Sequence, residues 1–165
     1  MLRPPFFYFI INSLKTMIEM KKFIFRALPA DDGTGAAAAC DKRGVMEVVV
    51  ESCRKLLTQE VGADLYWTGT KTDLIELLHG VWEAGVVFDE HGRPVTLVVL
   101  TDAICRVLHV AMPASPAVFM QNVNRRKGIR VVSVWARYAF LIDQCCIKNP
   151  MMLEVRVRRT KRQHG

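Results

Sequence analysis

The 165 residues predict a mainly α protein, a small helical bundle of helix-turn-helix or winged-helix type. Three observations lead there. Apolar residues recur at three- and four-residue spacing in successive stretches after Val45,. Gly and Pro punctuate the ends of those stretches, where helices stop and restart,. With 51% of the residues apolar, the chain can bury a core of its own without disulfide staples,.

Residues 1–44 read as an N-terminal arm and linker. Phe6 to Ile11 is an apolar run that halts at Asn12-Ser13, too short to span a membrane,. Arg26, Pro29, Asp31 and Asp32 break up the second apolar run, so export is not expected,. Two readings stay open for this arm: a disordered segment, or, for residues 1–19, a stretch added by an upstream start. Pro29 to Gly44 is rich in Ala, Gly and Asp and reads as the linker,.

Residues 45–147 form the predicted helical domain. Met46 to Val61 carries Val49, Val50, Cys53, Leu56, Leu57 and Val61 along one helical side, with Gly62 as the stop,. Thr70-x-x-Asp73 is a capping box that opens a second helix,. Leu74, Leu77, Leu78, Val81 and Trp82 make its stripe, and Gly85 its left-handed end,. Val86 to Phe88 is a strand candidate, and Asp89 to Pro94 a turn. Val95 to Leu108 is a third helix, with Leu97, Leu100, Ile104, Val107 and Leu108 on one side and a strand entry left open at Val98-Val99. Ser115-Pro116 supplies an N-cap and a first helical proline for a further helix, which runs to about Lys127 and stops at Gly128,. Residues 129–147 read as a short extended piece followed by a helix. Residues 148–165 read as a basic C-terminal tail, frayed from Arg156 onward.

Charge is distributed unevenly. Residues 64–102 hold two bases and seven acids, whereas residues 103–165 hold twelve bases and two acids. No acid lies between Asp102 and Asp143, while Arg106, Arg125, Arg126, Lys127, Arg130 and Arg137 do. A one-signed surface attracts polyanions. On the helix that starts at Pro116, Phe119, Met120 and Val123 fall inward. Gln121 stacks with Arg125, and Asn122 with Arg126, at i, i+4 spacing. Arg can bind guanine O6 and N7, and Asn or Gln can bind adenine N6 and N7. Lys127 and Arg130 at the helix end suit phosphates. Gln121, Asn122, Arg125, Arg126, Lys127 and Arg130 are therefore the candidate contacts to double-stranded DNA. The alternative is a non-enzymatic protein-interaction domain that presents a basic face.

No enzyme signature is present, and no cofactor, small-molecule substrate or membrane is expected. Cys40, Cys53, Cys105, Cys145 and Cys146 are odd in number and show no C-x-x-C pair, which fits a reducing, cytoplasmic compartment in which most of them are small buried residues,. Cys105 and His109 stand at i, i+4, but two ligands do not make a zinc site. Gly69-Thr70-Lys71-Thr72 lacks the spacing of a phosphate loop, and helix capping explains its residues,.

Leu65-Tyr66-Trp67-Thr68-Gly69-Thr70-Lys71-Thr72-Asp73-Leu74-Ile75-Glu76-Leu77 resembles the opening of the C-terminal domain of the RteC family. Trp82-Glu83-Ala84-Gly85, Asn124-Arg125-Arg126-Lys127 and Phe140-Leu141-Ile142-Asp143 continue the likeness, which covers about residues 64–147. The family consists of regulators associated with bacterial conjugative transposons, similar to winged-helix DNA binders. The resemblance implies a cytoplasmic transcription regulator linked to excision or transfer of a mobile element. It places the basic motif at Arg125, Arg126 and Lys127.

Overall fold

The computed structural model describes residues 23–29, 38–58, 64–126 and 132–158. Among them are six helices and four short strands, in the order β1 (Ile24–Phe25), α1 (Ala38–Thr58), β2 (Leu65–Trp67), α2 (Lys71–Glu83), β3 (Val87–Phe88), α3 (Leu97–Val107), α4 (Pro116–Arg126), α5 (Val134–Asp143), α6 (Pro150–Leu153) and β4 (Val155–Val157). The protein is mainly helical, with two small antiparallel strand pairs, β1–β3 and β2–β4.

Helix α2 is the centre of the bundle. Its predicted cap forms: the Thr70 hydroxyl accepts from the Asp73 amide at 3.1 Å. The reciprocal half of the box is replaced, because the Asp73 carboxylate pairs with Arg137 instead. Leu74, Ile75, Leu77, Leu78 and Val81 are fully buried, and so is Glu76 for the most part. A one-sided stripe was expected, but α1, α3, α4 and α5 all pack around this helix and cover it on nearly every side. Trp82 alone departs from the stripe and stays largely exposed. Gly85 ends α2 at φ +65°, where a side chain would be strained, and its amide donates to the Trp82 carbonyl at 3.0 Å,.

Helix α1 begins at Ala38, earlier than its apolar pattern suggests, because the alanines of the supposed linker are strong helix formers and Gly44 is accommodated within the helix,. Val45, Val49, Cys53, Leu56 and Leu57 are its buried side. Ser52 is buried among them, donating to the Val48 carbonyl at 2.7 Å and meeting the Asn149 amide at 2.9 Å. Asn149 in turn caps α6 by accepting from the Met152 amide at 3.1 Å. The far C-terminal part is thus fastened to α1 by one polar pair.

Helix α3 starts from Thr96, whose hydroxyl accepts from the Val99 amide, so the Val98-Val99 ambiguity resolves as helix. Leu97, Leu100, Ile104 and Leu108 are buried, as the spacing predicts. Thr101 is buried beside them, and its hydroxyl has no hydrogen-bond partner among the described residues. A stranded buried hydroxyl costs about 1 kcal/mol or more, whereas an isosteric methyl costs little. Thr101→Val should therefore raise the midpoint of urea unfolding, with a gain of about 1 kcal/mol. A lower midpoint would mean that the hydroxyl is satisfied in solution.

The strands are short, and their partners are remote in sequence. Ile24 and Phe25 pair with Phe88 and Val87, and an isolated bridge joins Phe88 to Pro94. Between the last two, Asp89 organises the predicted turn: its carboxylate accepts from the His91 and Arg93 amides, both at 2.9 Å, and Gly92 takes φ +74°. Phe23, Phe25 and Leu28 pack against the core, so part of the segment read as an arm belongs to the fold. Leu65, Tyr66 and Trp67 pair with Val157, Arg156 and Val155. The segment read as a tail therefore contributes a helical turn and a strand as far as Val157.

Candidate nucleic-acid interface

Helix α4 is set by its first residues. The Ser115 carbonyl accepts from the Phe119 amide at 2.9 Å and its hydroxyl from the Val118 amide at 3.4 Å, while buried Pro116 fills the first helical position. Met120 is buried, Phe119 packs half-buried against the core, and Val123 is half-buried. Lys71, at the start of α2, holds its ammonium 5.9 Å from the Phe119 ring centroid, within reach of a weak cation–π attraction,. With that side fixed inward, Ala117, Val118, Gln121, Asn122 and Asn124 are exposed. No acidic residue occurs in the helix.

The candidate contacts divide between what is described and what is not. Gln121 and Asn122 stand side by side on the outer surface of α4. Arg125 and Arg126 close the helix by their backbone. Lys127 and Arg130 lie outside the described residues. Val118, exposed to 52%, one turn before Gln121 and Asn122, was not singled out by the sequence, because within the apolar run Ala117-Val118-Phe119-Met120 it looks like part of the core. Helix α4 is joined to α3 through residues 108–115, a longer connection than the three or four residues of a helix-turn-helix turn,.

Two arginines of the acid-free stretch pair with acids elsewhere in the chain, one at the surface and one partly buried. Arg106 pairs with Asp102 at 2.7 Å, one helical turn back. Arg137 on α5 reaches Asp73 at 3.1 Å and Glu154 at 3.9 Å. Tyr138 donates its hydroxyl to the second oxygen of Glu154 at 3.1 Å, and the Glu154 carbonyl accepts from the Thr68 amide at 2.8 Å. Burial pushes the Glu154 carboxyl above its usual range, and the Tyr138 hydroxyl and the Arg137 guanidinium only partly restrain it. Burial, then Glu154, also raises the Tyr138 hydroxyl. This cluster ties the start of α2, the body of α5 and the entry to β4 together.

The same cluster fixes several residues of the stretch that leads into α2. Trp67 donates its indole N–H to the Thr70 carbonyl at 3.0 Å, and the Thr68 hydroxyl donates to the Glu154 carbonyl at 2.9 Å. At Gly69 a Cβ would run into the Glu154 carboxylate and the Trp67 ring. Each of these residues shapes the entry to α2, on packing grounds alone.

Among the described residues the histidines and cysteines do not converge. His109 takes φ +54°, and its Nδ1 lies 2.8 Å from the Leu65 carbonyl, which turns the ring toward β2. Burial pushes the Cys105 thiol up to about 11 and the Cys53 thiol up to about 12, so both stay protonated in the core,. His79 faces Glu83 at 3.2 Å and the Trp82 ring at 5.6 Å. Among the described residues no group of three or more His, Cys, Asp or Glu could hold a metal ion, and no helix is long and apolar enough to cross a membrane. Comparisons with protein-family models, curated proteins and solved structures gave no match.

Proposed function

We propose that this protein is a DNA-binding transcription regulator, in which α4 reads the major groove of double-stranded DNA. The observation that carries this reading is the outer surface of α4: an acid-free helix whose exposed Gln121 and Asn122 lead into Arg125 and Arg126. Amides of that kind discriminate adenine, while the basic residues at and beyond the helix end hold phosphates. The finer fold reading goes with it. Helix α3 would support α4, and the β1–β3 pair with its Asp89–Arg93 turn would be a small wing. The likeness to RteC regulators adds a context, the excision or transfer of a mobile element in the cytoplasm.

The test is a salt titration on duplex DNA. Wild-type affinity should fall steeply with salt, because each neutralised phosphate adds about 0.9 to the slope of log affinity against log salt. The triple variant Arg125→Ala, Arg126→Ala, Lys127→Ala should lose about 2 to 3 from that slope and most of its binding, with an unchanged circular dichroism spectrum. Binding indifferent to salt would overturn the proposal in favour of a protein partner. Undiminished binding by the triple variant would move the interface away from α4.

A further inference from the structure

On the reading of α4 as the DNA-contacting helix, we propose that Val118 makes an apolar contact with a thymine methyl group, so that the preferred site places an A·T pair under the first two turns of α4. The exposed surface of these turns is not uniformly polar. Val118 is exposed to 52%, and Gln121 and Asn122 follow it at i+3 and i+4 on the same side,. Its neighbour Ala117 is exposed as well, whereas Pro116, Phe119 and Met120 supply the inward contacts. The helix therefore does not use Val118 for its own packing.

The chemistry of the major groove matches this triplet of side chains. An A·T pair presents there an acceptor and a donor on adenine, which a carboxamide satisfies in bidentate fashion, and a methyl group on thymine, which only an apolar side chain complements. Valine beside two carboxamides offers both halves. A G·C pair offers no methyl group and would leave Val118 against polar edges. Residues at the front of a reading helix are those that meet base edges. The absence of acids on α4 leaves nothing to repel the flanking phosphates,.

Replacing thymine by deoxyuridine removes the methyl group and nothing else, which makes the contact directly measurable. A preferred duplex is first selected from random sequence with the full chain, and each thymine is then exchanged for deoxyuridine in turn. At one position wild-type affinity should drop about fourfold, the worth of one buried methyl group. Val118→Ala, which keeps a helix-favouring residue at an exposed position, should bind the thymine duplex about fourfold more weakly and be indifferent to the exchange at that position. Selection of a site whose affinity is unchanged by every deoxyuridine would overturn the methyl contact while leaving α4 as the reader. An exchange that costs Val118→Ala as much as wild type would do the same. Failure to enrich any DNA would overturn this inference and the DNA reading together.

Discussion

Gly80→Val should be among the most damaging single substitutions in this protein, costing about 3 kcal/mol or more of stability. Gly80 lies on the buried side of α2, where the indole of Trp135 on α5 packs onto it so closely that a Cβ would overlap the ring. Interiors are packed to crystal-like density, so the added branched side chain can be housed only by driving α5 outward or turning the indole into a poor rotamer. Glycine normally weakens a helix by about 1 kcal/mol relative to alanine, and here the gain in helix–helix contact offsets that loss. Urea unfolding of Gly80→Val, Trp135→Ala and the double variant checks the argument. The double variant should be distinctly less unstable than the two single losses added together, since each change removes part of the same contact. Strict additivity would show that Gly80 is limited by backbone freedom rather than by the indole.

Arg137→Met is expected to be the second severe change, because it withdraws the cation that faces both Asp73 and Glu154. Asp73 is nearly buried, whereas Arg137 retains over a third of its side-chain exposure, so the cost is smaller than for a fully buried pair: about 2 kcal/mol at neutral pH,. The effect of pH has a defined sign. The Glu154 carboxyl is already held above its ordinary range by burial, with Arg137 among the groups restraining that shift. Without the arginine, the folded chain would bind protons more avidly than the unfolded chain just above the ordinary carboxylate range. Stability of the variant should therefore fall as pH rises from about 4.5 toward neutrality, so the deficit against wild type widens over that interval. Melting curves at pH 4 and pH 7 provide the measurement. A deficit equal at both would mean that methionine loses only packing.

The elements that were legible in the sequence are those whose determinants lie within one or two turns. Helix α2 announces itself through Thr70, its leucine stripe and Gly85, and α4 through Ser115-Pro116, because a capping hydroxyl and a left-handed glycine act on their immediate neighbours. The strands were harder. Of Val155–Val157 only Val155 packs against the core, while Arg156 and Val157 are both exposed, so nothing in its composition separates it from a tail. Its identity as a strand comes from Leu65–Trp67, which no local pattern can reveal. The candidate interface was legible in the same uneven way. Spacing places Phe119, Met120 and Val123 inward and Gln121 and Asn122 outward, as observed. The acid-free run overstates the field, because Arg106 and Arg137 have acidic partners that lie outside it in sequence.

The pairing of β2 with β4 also governs the order in which the molecule can be completed. Trp67 and Thr68 are synthesised long before Val155 and Glu154, the residues that hold them in place. Until that late segment arrives, β2 has an open edge, and Arg137 and Tyr138 both lack the Glu154 carboxylate that they share. A nascent chain can build α2 with α1, α3 and α4 around it, but the entry to α2 gains its pairing with β4 and its Glu154 contacts only after residues 154–157 have been made. Closing so wide a loop is slow compared with forming the helices. Shortened versions of the chain that stop before Val155 would therefore resemble an arrested biosynthetic intermediate, with an unpaired strand edge open to association with other chains.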